Sequence, residues 1–189
     1  MILEVVKFGH PALRQKGARV DKITPDLQKL IADMFETMYE AKGVGLAAQQ
    51  VGRALQLTVL DVRAAERPST LELDGKEADV PAFMPLVLIN PEVKAAGEPV
   101  AGSEGCLSFP EIFAEITRPP QAEVRATNEK GQEIVFRCGG LLARAIQHEL
   151  DHLNGILFID RMTRADKDEL KPELDELFAA TKDELKKKK

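Results

Sequence analysis

The chain has 189 residues, of which 44% are hydrophobic and 30% charged, proportions that exclude a mostly disordered chain, a collagen-like chain and a disulfide-stapled miniprotein. The length suits one domain with a small appendage. Net charge is −5, and −9 without the four terminal lysines Lys186 to Lys189, so an acidic body carries a basic tip, which argues against a general nucleic-acid binder.

No apolar run approaches the roughly 20 residues of a membrane span. The start, MILEVVKFGHPALRQKG, lacks a basic n-region, a long apolar stretch and a small-residue cleavage site. The expectation is a cytoplasmic protein with no membrane partner and no sequence-specific nucleic-acid partner. With no tryptophan and one tyrosine, the core must be mostly aliphatic. Cys106 and Cys138 could form only one bridge; in a reducing compartment, metal binding or a free thiol is expected of each.

Residues 1–20 hold a short apolar start and a Gly-His-Pro loop. Thr24-Pro25 opens the first helix, with Thr at the cap and Pro in the first turn. Leu27, Leu30, Ile31, Met34, Phe35 and Met38 repeat at helical spacing, most simply for core packing, until Gly43 and Gly45 stop the helix. Leu55 to Val62 reads as a strand. Arg63 to Pro81 is charged and turn-rich, and Asp74-Gly75 beside Leu71 and Leu73 suggests a small hairpin or a surface excursion. Pro85 to Pro91 is another strand. Ala122–Thr127 and Glu133–Arg137 pair around Asn128–Gly131. Leu141–Leu153 is the second clear helix, stopped at Asn154-Gly155. A last amphipathic segment carries Leu170, Leu174, Leu177, Phe178 and Leu185, with Pro172 at its start or at a bend. The pattern predicts an α+β fold, with short, mostly antiparallel strands around a central helix, flanked by an N-terminal and a C-terminal helix. Residues 1–163 would form the catalytic unit and 164–189 a C-terminal helix and basic tail.

Residues 148–152 read HELDH. On a helix, His148 and His152 stand one turn apart, about 6 Å along the axis and about 40° in angle, so two imidazoles can grip one ion. Glu149 sits beside that face, within reach of water held there. Leu150 should anchor the helix in the core with Leu142, Ile146 and Leu153. Asp151 could orient an imidazole or meet solvent. The bland alternative is a solvated face with two surface histidines. It is disfavoured because burying His, Glu, Asp and His together is costly unless something binds them.

A hydrolytic site needs a third protein ligand and one open position. HExxHxxG continues as in one metalloprotease class, but the third histidine of that class is here Phe158, and His10 looks like a turn residue. Glu169 or Glu173 stays formally possible. Cys106, in SEGCLSFP, is the better candidate, and Cys138 reads as a buried small residue.

Three separated motifs, GVGLAAQQ (43–50), EGCLS (104–108) and QHELDH (147–152), resemble the peptide deformylases. Weaker similarity runs from HPALR through LINP to HLNGILFIDRM. GVGLAAQQ alone would be a helix stop followed by a small-residue strand or turn, and it lacks the ending of a phosphate loop. The resemblance implies hydrolysis of the formyl group from N-formylmethionyl chains. Cys106, His148 and His152 would hold a divalent ion, usually Fe2+, with Zn2+, Ni2+ or Co2+ also compatible with these donors. Glu149 would be base and then acid, while Gln50 through its amide and Leu107 through its N–H would face the developing oxyanion. Val44 and Gly45 would line the cleft and pair with peptide backbone; Leu141 and Arg144 would border the methionine pocket. Glu104 and Ser108 would support the Cys106 loop. The C-terminal helix and tail could dock on the ribosome. Two departures stand out: the long stretch from Arg63 to Met84, readable as a lid, a dimer contact or an inert insert, and Phe109 where a smaller aliphatic residue is expected. Two other readings are a metalloprotease for internal bonds and a metal-bound module without turnover.

Overall fold

The computed structural model describes residues 1–188. Four helices are α1 (Pro25–Glu40), α2 (Val80–Phe83), α3 (Gly140–Leu153) and α4 (Arg164–Lys187). The strands are β1 (Gly45–Ala47), β2 (Leu57–Leu60), β3 (Ser69–Leu73), β4 (Lys76–Glu77), β5 (Leu86–Ala96), β6 (Val100–Cys106), β7 (Phe109–Arg118), β8 (Gln121–Thr127) and β9 (Glu133–Gly139). Seven of them form one antiparallel sheet in the order β1-β2-β5-β8-β9-β3-β4, and β6 and β7 form a separate hairpin.

Period-two alternation buries the sheet on both faces. Leu57 and Val59 of β2, with Val87 and Ile89 of β5, pack against Leu27, Ile31, Met34 and Met38 of α1. Leu60, Leu86 and Leu88 join Val124, Phe136 and Cys138 beneath Leu142, Ala143, Ala145 and Ile146 of α3. The stripe on α1 is therefore core. A third cluster joins the β6–β7 hairpin to the C-terminal segment through Phe109, Ile112, Ile116, Phe158, Ile159 and Leu174.

The elements follow the sequence pattern with instructive exceptions. Thr24 caps α1, its hydroxyl accepting from the Leu27 N–H. Asp74 (φ 51°) and Gly75 (φ 74°) make the two-residue β3–β4 turn, the left-handed pair a twisted hairpin favours. β5 runs on to Ala96, and residues 100–118 form a long hairpin whose strands were not foreseen. Pro172 does not start α4 but lies in its interior. Thr163 caps that helix well before it, and an exposed proline in its interior leaves a carbonyl that water can satisfy. Leu150 is only half-buried, unlike Leu142, Ile146 and Leu153, because the last turn of α3 is instead drawn inward through Asp151.

The long stretch after β2 is neither a free lid nor inert. β3 pairs with β9 at the sheet margin, Thr70 facing Gly139 and Leu71 facing Cys138. Gly139 at the start of α3 offers no side-chain cap. The excursion supplies one instead: Pro68 C=O accepts from the Leu141 N–H and Ser69 Oγ from the Leu142 N–H, both at 3.0 Å. Helix starts leave such N–H groups orphaned unless something meets them. Ser69→Ala is therefore expected to lower stability by about 0.5–2 kcal/mol in urea denaturation, and Ser69→Thr to recover most of it.

Candidate active site

The last two turns of α3 put His148, Glu149 and His152 on one buried side, and the tip of β6 brings Cys106 to them. A register shift lies between Gly105, which faces Phe113, and Cys106, which faces Phe109. Such bulges turn a side chain that a regular ladder would aim elsewhere. Cys106 Sγ stands 3.3 Å from His152 Nε2, and the donor atoms of Cys106, His148 and His152 all lie within 4.8 Å of one another.

The set fits a metal ion. Glu149 Oε2 is buried beside it with no hydrogen-bond partner in the protein. Burial disfavours a charged ring at both histidines. It pushes His152 well below the ordinary imidazole range, with His148 adding to the effect, whereas bonds to Cys106 and Glu104 lift His148 well above it. The three donor atoms crowd together with room among them for one cation. A thiolate and two imidazoles suit zinc, iron, cobalt or nickel.

Glu104 is the group that sequence reasoning undervalued. Its Oε1 accepts from His148 Nδ1–H at 2.9 Å, leaving Nε2 for the ion. Its carboxylate also accepts from Arg118 Nε (2.6 Å) and Nη2 (2.9 Å) and from Arg144 Nη1 (2.8 Å). Burial alone would raise its pKa, but the bonds from His148 and Arg118 outweigh that and hold it at about 2. Arg118 continues to Asp151, which also takes two bonds from Arg161. Asp151 therefore neither orients an imidazole directly nor meets solvent. The one local signal for Glu104 was its place two residues before Cys106 in the EGCLS motif. Arg118 and Arg161 carried no such local signal.

Glu149 lies against Gly45, where an added Cβ would come within 2.5 Å of Oε1. Only glycine lets β1 approach the carboxylate this closely. Burial pushes the Glu149 carboxyl up to about 7, a value at which it can both take and release a proton near neutrality. Gln50, in the turn after β1, is fixed by Oε1 accepting from the Ala47 N–H, and its Nε2 points to Ser108 Oγ at 3.3 Å and Cys106 Sγ at 3.5 Å. The Leu107 carbonyl is held by Lys7 Nζ at 3.0 Å. These groups open onto a cleft of about 560 Å³ that Val44, Gly45, Leu107, Leu141, Arg144, His148 and Glu149 also line.

Other candidates fall away. Cys138 is buried on β9 under α3, its thiol pushed up to about 12 by burial. Glu169 and Glu173 are exposed on α4, outside the donor cluster. His10 caps a short turn, its Nδ1 accepting from the Ala12 N–H. Phe158 packs 5.9 Å from the His148 ring and edge-on to Phe109. Phe109 also stacks on Phe8, so its extra bulk is taken up in the core.

A family model described as polypeptide deformylase matches residues 2–168. A peptide deformylase of Opitutus terrae is 46% identical over 166 residues, covering 87% of this chain and 86% of its own. Another, of Methylacidiphilum infernorum, is 44% identical over 177 residues, covering 94% and 93%. The solved peptide deformylase from Thermotoga maritima superposes with a TM-score of 0.74 at 39% identity, over 86% of this chain and 99% of that one. For the one from Plasmodium falciparum the TM-score is 0.80 at 32% identity, over 94% and 96%. The chain belongs to the peptide deformylase family, metal-dependent hydrolases that remove the formyl group from N-formylmethionyl nascent peptides.

Proposed function

We propose that Cys106, His148 and His152 hold the catalytic metal, that this metal is ferrous iron in the working enzyme, and that Glu149, Gln50 and Leu107 carry out the proton and oxyanion chemistry of deformylation. The observation that carries the reading is the unpartnered, buried Glu149 Oε2 beside three converging soft and borderline donors. When bound, Fe2+, or Zn2+, Ni2+ or Co2+ in its place, supplies Lewis acidity to water and to the formyl oxygen.

The protein's own groups do the rest. Glu149 Oε2 accepts a proton as water oxygen bonds to the formyl carbon. It then returns that proton to the amine nitrogen as the C–N bond breaks, so formate leaves and a free amino terminus remains. Gln50 Nε2–H and the Leu107 N–H donate to the carbonyl oxygen as it gains charge. Gln50 is suited to this because its other end is already tied to Ala47, so little reorganisation is needed. Val44 and Gly45 pair with the peptide backbone, and Leu141 and Arg144 border the pocket for the first side chain. Formyl is the smallest acyl group, and the closeness of Gly45 to Glu149 favours rejection of acetylated ends by size.

Residues 1–163 are assigned to catalysis and 164–189 to docking, in the cytoplasm, near emerging chains. No described helix is long and apolar enough to cross a membrane. α4 ends in the lysines; Lys188 Nζ pairs with Glu4 at 2.7 Å and Lys186 Nζ stands 3.6 Å from Asp183, both exposed, and the basic tip as a whole would attract an anionic surface such as the ribosome.

Glu149→Ala is expected to retain metal by elemental analysis and to lose at least about 100-fold in formate release from a formyl-Met tripeptide. Retention of turnover would remove Glu149 as the proton carrier, whereas an unaltered chain that holds metal and releases no formate would be only a metal-binding module. Cys106→Ala should lower both metal content and turnover. Deleting residues 186–189 should weaken co-sedimentation with ribosomes at low salt while formate release from free tripeptides stays unchanged; equal co-sedimentation removes the docking role.

A further inference from the structure

Three consecutive residues of the excursion after β2 touch both walls of the inner cleft. Pro68 and Ser69 hold the first turn of α3, which presents Leu141 and, one turn on, Arg144 and Ala145. Arg67 reaches the opposite way: its Nη1 donates to the Ser103 C=O on β6 at 2.9 Å, and the side chain lines the same cleft. Among the described residues no carboxylate pairs with its guanidinium, although the side chain is exposed and the protein is acidic. An exposed arginine loses rotamer freedom when it is tethered to a carbonyl, so the tether defines a position that solvent alone would not.

The opposite end of this space is closed as well. Gly102 leaves room for the Arg144 guanidinium, since an added Cβ would come within 2.9 Å of Arg144 Cζ. Arg144 cannot retreat, because Glu104, the Ile116 C=O and the Val100 C=O hold it at 2.7–2.9 Å. The space bounded by Leu141, Ala145, Ser103 and Arg144 thus has a fixed floor, and Arg67 forms an exposed side of it.

We propose that Arg67 is a specificity-determining residue: its side chain, strapped from the excursion to β6, closes the pocket for the first side chain of the substrate and limits the length that fits there. The inference rests on the assignment of that pocket to Leu141 and Arg144. A longer side chain must displace the strap from Ser103, whereas one of methionine length leaves the strap in place. Pockets of this kind discriminate a single methylene by about 10- to 200-fold.

The test compares kcat/KM for formate release from formyl-methionyl and formyl-ethionyl tripeptides, the second longer by one methylene, on enzyme of equal metal content. Calorimetric Kd values for the two unformylated peptides give a second readout. Arg67→Ala is expected to raise the ethionyl-to-methionyl ratio about tenfold in both, and Arg67→Lys, which keeps one donor, to raise it less. Leu141→Ala enlarges the same pocket from α3 and should raise the ratio too. If Leu141→Ala raises it and Arg67→Ala does not, the strap is overturned and the pocket stands. If neither does, the pocket assignment fails and the strap with it.

Discussion

The buried carboxylate of Glu104 is the constraint on which the centre depends. It receives His148 on one side and the guanidinium groups of Arg118 and Arg144 on the other, all at hydrogen-bond distance. A carboxylate this deep is affordable only because every lone pair is engaged; removing one partner of such a set costs about 3–5 kcal/mol, since the other charges stay buried. Three otherwise separate pieces are locked by it: the strand that ends in Cys106, the returning strand that ends in Arg118, and the helix of the two histidines. The three donor side chains converge because their supports are pinned to one anion.

The same network explains how an acidic protein keeps cations inside. Asp151 draws Arg118 and Arg161 together and ties the end of α3 to the segment after it. Glu149, one residue from His148, stays outside this system, with no guanidinium bonded to it, and so remains an ionisable group with a raised pKa. Two carboxylates near one donor cluster thus differ in acidity because of their surroundings. The one held at about 2 orients the His148 ring, and the one at about 7 can exchange a proton.

Reading the chain by pattern recovers local features well and pairings poorly. The α1 cap, the Asp74-Gly75 turn and the helix from Leu141 to Leu153 depend on residues within a few positions of each other, and each is found as expected. The hairpin of residues 100–118 was missed because Glu104 is buried, Val100 and Phe113 are exposed and a bulge precedes Cys106, all of which blur the alternation that marks a strand. Leu150 was misplaced because helical periodicity says which residues share a side, not how far along the helix the packed surface extends. For Pro172 the local rule lost to a capped start eight residues earlier and to exposure.

Chemistry-bearing residue types at short spacing were legible from the sequence alone. HELDH sets two histidines one turn apart with a glutamate beside them, because a helix repeats every 3.6 residues, and SEGCLSFP offers a thiol after a glycine. Only the folded chain decided that Cys106 rather than Cys138 joins the histidines. It also revealed that Glu104, Arg118 and Asp151 form one buried circuit, and that the excursion caps α3 and reaches the cleft. Those contacts join residues 14 to 73 positions apart. Their partners are set by strand order and by the bulge that turns the thiol, and no local repeat encodes either.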